Sequence, residues 1–189
     1  MTDKTADKQS AFSCQHRVGF VTVFTGDGKG KTTAAVGTAV RAAGYGLRTC
    51  IVFFLKGAMF SQGEVKALEA LGGIDTFSFG VNDWIKSNND KSAAVGQARR
   101  ALETSAEVIR SGRYDLIIMD EVNNAVDFGL IDVADVLDIL RARPAKVDVI
   151  LTGRNADKRL IEASDTVTEM KCVKHVFERG IKARSGIDY

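Results

Sequence analysis

No apolar run in this chain is longer than a strand. The two longest, Ile51–Leu55 and Leu116–Met119, fall far short of the roughly 20 residues that span a bilayer. The opening MTDKTADKQS lacks the apolar stretch that an export signal needs. A cytoplasmic protein with no membrane insertion is therefore expected. Cysteine is scarce and odd in number: Cys14, Cys50 and Cys172 show no CxxC spacing, which argues against a disulfide framework and suits a reducing compartment. Histidine is scarcer still, and His16 and His175 are too few to build a zinc site around. An excess of one charge is also lacking, since 26 basic residues face 24 acidic ones. Nothing in that balance points to nucleic acid as the main partner.

What is present is a globular composition, 45% hydrophobic and 26% charged over 189 residues, enough to bury one substantial core. Residues 1–17 are polar without periodicity and read as a flexible N-terminal arm. Residues 18–189 read as a single domain, with no internal repeat. Within it Val18–Phe24, Thr49–Leu55, Thr76–Phe79, Leu116–Met119 and Val147–Leu151 are predicted strands, several apolar on both faces. Two-sided apolarity belongs to parallel strands covered by helices, so a three-layer α/β fold with a mostly parallel central sheet is expected. Helices are predicted from Lys31 to about Ala43, from Lys91 to Ser111, and from an Asp132 cap through Leu140, with the sole proline, Pro144, just beyond.

The most informative segment is VTVFTGDGKGKTT, Val21–Thr33, where an apolar strand runs into Gly26, Gly28 and Gly30, followed by Lys31, Thr32 and Thr33 at the start of a helix. Glycines let main-chain amides turn inward around a phosphate, and the positive end of the helix backs them. Lys31 adds a full charge at the phosphates, and the hydroxyl of Thr32 or Thr33 is a ligand for Mg²⁺. The usual GxxxxGK[ST] spacing asks for glycine at Thr25. This loop is either nonstandard there or one residue short, reading GxxxGKT from Gly26 to Thr32. A second signal is the apolar strand ending in Asp120 and Glu121, the place where a P-loop (RecA-like) domain carries its metal-binding carboxylate. Arg41 and Arg154 are available cations for an ATPase, with Glu121 as the base. A kinase would need a mobile basic lid, and none is evident.

Beyond the loop, the chain resembles the ATP-dependent corrinoid (cob(I)alamin) adenosyltransferases of the CobA, CobO and BtuR type. The resemblance covers Phe24–Gly46, FFLKG at Phe53–Gly57, Gly63 with Glu64, LIIMDE at Leu116–Glu121, ILTGRNA at Ile150–Ala156, ASDTVTEM at Ala163–Met170, and VKHVFERGIKARSGIDY from Val173 to the end. It thins only in the arm and between about residues 74 and 99. The resemblance implies transfer of the 5′-deoxyadenosyl group of ATP to cobalt(I) of cobalamin or a related corrinoid, with triphosphate leaving. By matching position, Gly26, Asp27, Gly28, Lys29, Gly30, Lys31, Thr32 and Thr33 would bind ATP, Arg41 would touch phosphate, and Thr32 with Asp120 or Glu121 would hold Mg²⁺. Lys31 and Glu121 would be the catalytic pair. The family's Phe-x-Trp pair, which packs on the corrin, has a counterpart in Trp84, while Val81 or Asn82 stands at the phenylalanine position and Phe79 is a substitute for it. The resemblance further implies a homodimer, a reduced flavoprotein electron donor, and a role for His175 and Lys174 either in the C-terminal segment or at the nucleotide. Readings from other classes are an ATPase module that drives a protein partner and a nucleotide-binding regulatory domain without turnover.

Overall fold

The computed structural model describes residues 18–57, 63–81 and 91–188. The arm, with His16 and Cys14, and Trp84 in the middle segment lie outside them. Six strands alternate with helices in chain order: β1 (Val21–Thr25), α1 (Lys31–Gly44), β2 (Thr49–Phe53), α2 (Gly63–Leu71), β3 (Ile74–Ser78), α3 (Ser92–Arg110), β4 (Leu116–Asp120), α4 (Val122–Asp127), α5 (Val133–Arg141), β5 (Asp148–Thr152), α6 (Lys158–Glu162) and β6 (Thr166–Glu169). They form one sheet in the order β3-β2-β4-β5-β1-β6, and every pairing in it is parallel.

The two-sided apolarity of the central strands has a direct cause. Alternate residues point to opposite faces, so Cys50 and Val52, Ile117 and Met119, and Val149 and Leu151 meet α3, α4, α5 and α6 in one core. Ile51 and Phe53, Leu116 and Ile118, and Ile150 meet α1 and α2 in the other. Residues such as Ile118, fully buried, each contribute roughly 1.5–3 kcal/mol by leaving water. On α1 the inward positions are Ala35, Ala39 and Ala42, whose small side chains let the helix lie close to the sheet. Cys50 sits in the core and Cys172 on the surface, both as free thiols, and burial pushes the Cys50 thiol up to about 12.

Several boundaries move from expectation. β1 starts at Val21 because the preceding backbone is used elsewhere: the Gly19 amide donates to Ala145 O and the Phe20 amide to the Asp148 carboxylate. The predicted cap on α5 is present, with Asp132 accepting from the Ala134 amide at 2.8 Å. β6 and the short helices α2, α4 and α6 were not foreseen. β6 is exposed at all four residues, so it carries none of the apolar patterning by which a buried strand is recognised. Among the described residues, no helix is long and apolar enough to cross a membrane.

Candidate active site

The five-residue loop Gly26–Gly30 joins β1 to α1 at the carboxyl edge of the sheet. Thr25 is the last residue of β1, paired with Glu169 of β6, and its hydroxyl accepts the Ala156 amide. The strand therefore continues through the position where the longer motif has its first glycine, and the loop is one residue short. Gly26 has φ +89°, and a Cβ there would lie 2.6 Å from Met170 O; one at Gly28 would meet the same oxygen at 2.6 Å. Both positions need glycine because the backbone after β6 presses on the loop, and the Gly28 amide donates to Met170 O. Gly30, at φ +119°, precedes α1 and gives it no side-chain cap, which leaves the first-turn amides for an anion.

Lys31 is 8% exposed and donates to Gly26 O and Gly28 O, each at 2.7 Å. Burial lowers its pKa, against the opposing pull of Glu121, with Arg154 adding to the lowering. Thr32 is half-buried beside it and Thr33 is exposed.

The β4 carboxylates have opposite surroundings. Asp120 is wholly buried; one oxygen accepts the Thr152 hydroxyl at 2.7 Å and the other pairs with Lys56 Nζ at 2.9 Å. Glu121 follows at φ +64°, a conformation that costs a non-glycine residue on the order of 1–3 kcal/mol. Its amide donates to the same Thr152 hydroxyl at 2.9 Å. Burial raises the Glu121 pKa, the Asp120 charge raises it further, and Lys56, Lys31 and Arg154 pull it down.

The loop after β5 completes the edge. Asn155, at φ +50°, donates to the Asp127 carboxylate, and the Arg154 amide donates to Asn124 Oδ1 at 2.6 Å. These contacts aim Arg154 toward the phosphate loop, with its Nε 4.0 Å from the Asp27 carboxylate. Of the residues expected from the sequence, Asp27, Lys31, Asp120, Glu121 and Arg154 are thus brought together electrostatically. Lys29 instead pairs with Asp188 and donates to Ile187 O. Arg41, exposed near the end of α1, lies ten residues past Lys31, about 15 Å along the helix. His175 accepts the Phe177 amide and caps the 3-10 turn Val176–Arg179, and Lys174 is exposed. Sequence reasoning named no role for Lys56, Thr152 or Met170, although the FFLKG, ILTGRNA and ASDTVTEM segments that supply them lie within the family resemblance; that resemblance was the signal that could have found them.

No group of three or more His, Cys, Asp or Glu residues among the described residues is placed to hold a metal by itself. The donors here are hard oxygens, the Thr32 hydroxyl and the Glu121 carboxylate. They fit a magnesium ion that arrives with phosphate oxygens, since Mg²⁺ is usually held by one or two carboxylates together with substrate phosphates.

The sequence matches the profile of the family described as ATP:corrinoid adenosyltransferase BtuR/CobO/CobP over residues 17–189. It is 39% identical over 173 residues to the corrinoid adenosyltransferase of a Sinorhizobium species, covering 90% of this chain and 80% of that one. To the corrinoid adenosyltransferase of Escherichia coli K12 it is 36% identical over 176 residues, covering 93% and 88%. Among solved structures, the flagellar accessory protein FlaH of Methanocaldococcus jannaschii superposes with a TM-score of 0.58 at 14% identity, covering 81% of this chain and 71% of that one, a likeness of fold alone. With a match that runs over residues 17–189, the chain belongs to the ATP:corrinoid adenosyltransferase family.

Proposed function

We propose that this protein transfers the 5′-deoxyadenosyl group of ATP to the cobalt(I) centre of a reduced corrinoid. The cobalt electron pair forms the new cobalt–carbon bond, the C5′–O bond breaks, and its electron pair leaves with triphosphate. Cobalt(I) carries no proton to remove, so the protein needs no general base at the nucleophile; it needs alignment and charge stabilisation on the departing phosphates. The main-chain amides of Gly26–Thr33, apart from that of Gly28, which donates to Met170 O, and the Lys31 ammonium supply that stabilisation, with Asp27 and Lys29 inside the loop. Arg154 adds positive charge from the β5 side. Thr32 and Glu121 hold magnesium, whose chemistry is to neutralise phosphate oxygens. Arg41, so far along α1, is a phosphate contact only for a nucleotide reached from another direction, and Trp84 is assigned to the corrin as the counterpart of the family's tryptophan, although Val81 or Asn82 stands at the phenylalanine position.

The observation that carries this reading is the convergence of Lys31, Glu121 and Arg154 at one end of the sheet in a chain of this family. A homodimer in the cytoplasm, served by a reduced flavoprotein, accords with it; the exposed β6 edge with Val173 and Phe177 nearby in sequence offers a surface for the second copy. The test is anaerobic incubation with ATP, Mg²⁺ and chemically reduced cobalamin. A light-sensitive cobalt–carbon product and triphosphate are expected. ADP and phosphate released at the same rate without corrinoid would mark a hydrolase and refute the proposal.

A further inference from the structure

Three carboxylates, Glu64, Asp120 and Glu121, act on a single ammonium group, that of Lys56. It lies 2.9 Å from Asp120 and 3.6 Å from Glu64, and 4.7 Å above the Phe53 ring. Its backbone has no slack: a Cβ on Gly80 would meet Gly57 N at 2.6 Å and the carbonyl carbons of Leu55 and Lys56 at 2.9 Å. Burial works against the Lys56 charge, yet Asp120 above all, then Glu64 and Glu121, raise its pKa on balance. Asp120 is thereby engaged at both oxygens, by Lys56 and by the Thr152 hydroxyl. That hydroxyl also holds the amide of Glu121 in its left-handed turn.

We propose that Lys56 is a positioning residue: by taking up Asp120 it fixes the Lys56–Asp120–Thr152 chain, which sets the backbone of Glu121 and presents Glu121 as the one free carboxylate of the pair for the metal–phosphate group. This deepens the reading above and rests on it for the role of the site, but not for its test. Without Lys56, Asp120 is a buried charge with no counter-ion, which draws either the incoming metal or water and pulls Thr152 away from Glu121. The Asp-Glu pair therefore divides its work, with the buried member structural and the half-buried member facing ligand.

The experiment measures ATP affinity by calorimetry, with Mg²⁺ and with EDTA, in Lys56→Met, Asp120→Asn, the double variant and Glu121→Gln, each checked by thermal melting. Lys56→Met should weaken Mg-ATP binding by about tenfold or more while ATP in EDTA changes by less than about twofold. Adding Asp120→Asn should restore Mg-ATP binding to within about threefold of the original, because the uncompensated charge goes with its partner. Asp120→Asn alone should keep most of the Mg-ATP affinity, whereas Glu121→Gln should lose it. Should Lys56→Met fail to fold, the Asp120→Asn and Glu121→Gln comparison decides. An Asp120→Asn loss equal to that of Glu121→Gln, or a double variant no better than Lys56→Met, overturns the proposal. None of these readouts uses a corrinoid, so absent adenosyl transfer with the predicted ATP pattern would sink the functional reading and leave this one standing.

Discussion

The two ends of the sheet treat charge in opposite ways. At the amino ends, carboxylates accept the first amides of neighbouring strands: Asp115 takes the Arg48 amide, Asp148 the Phe20 amide and Asp165 the Val21 amide. There too the Tyr114 hydroxyl donates to Asp75 at 2.6 Å, and the Arg48 and Arg113 guanidinium groups lie over the Tyr114 ring. At the carboxyl ends, Asp120 and Glu121 repel each other, Lys31 is desolvated, and both non-glycine residues with positive φ among those described, Glu121 and Asn155, are found. One end spends its polar groups on strand pairing. The other holds them in unfavourable positions, which is where a protein keeps groups for a ligand instead of for itself.

Variants at the two ends should therefore separate activity from stability. The largest effect is expected for Lys31→Ala: adenosyl transfer, followed by loss of the cobalt(I) absorbance, should fall by about a thousandfold, with little change in melting temperature. Glu121→Gln should lower transfer by about a hundredfold yet raise the melting temperature of the nucleotide-free protein. The sign follows from the raised pKa. The folded state holds this proton more tightly than the unfolded chain, so stability is full below the unfolded value of about 4.3 and falls as pH rises through the folded one. Melts at pH 5 and pH 8 should show the variant's advantage growing at the higher pH; an advantage that shrinks would break the contrast between the ends. Tyr114→Phe should do the reverse, costing about 1 kcal/mol of stability in denaturant titrations while transfer stays within about twofold. Smallest of all, Arg48→Ala should change stability by about 0.5 kcal/mol or less, because its ion pair with Asp75 at 3.6 Å is half exposed and screened by water and salt.

Much of the central fold was legible because its strands are buried on both sides: the Val/Ile/Leu runs at β2, β4 and β5 stand out, and Asp132 marks the start of α5. β6 escaped because TVTE is an exposed edge, and α4 and α6 because five or six residues carry too little periodicity to register. At the site, the glycines, Lys31 and the Asp-Glu pair were readable from residue type and order. The division of labour proposed within that pair was not, since it depends on Lys56 from the segment just after β2 and Thr152 from β5, contacts that span 64 and 32 positions of the chain. Arg41 is a converse case: residue type and matching position nominated it, and its place ten residues past Lys31 on α1, about 15 Å along the helix, is not something that residue type reveals.

The phosphate loop hangs from a strand whose neighbours in the sheet, among the described residues, are β5 and β6. During synthesis β1 precedes the other described strands, and its partners β5 and β6, within residues 148–169, are made well after it. The half of the sheet built from β2, β3 and β4 can assemble in the meantime, but a cradle able to grip nucleotide forms only when the tail end of the fold closes over the beginning. Nucleotide capture by nascent chains of increasing length should therefore switch on late and abruptly, and ATP would serve as a seal on completed molecules.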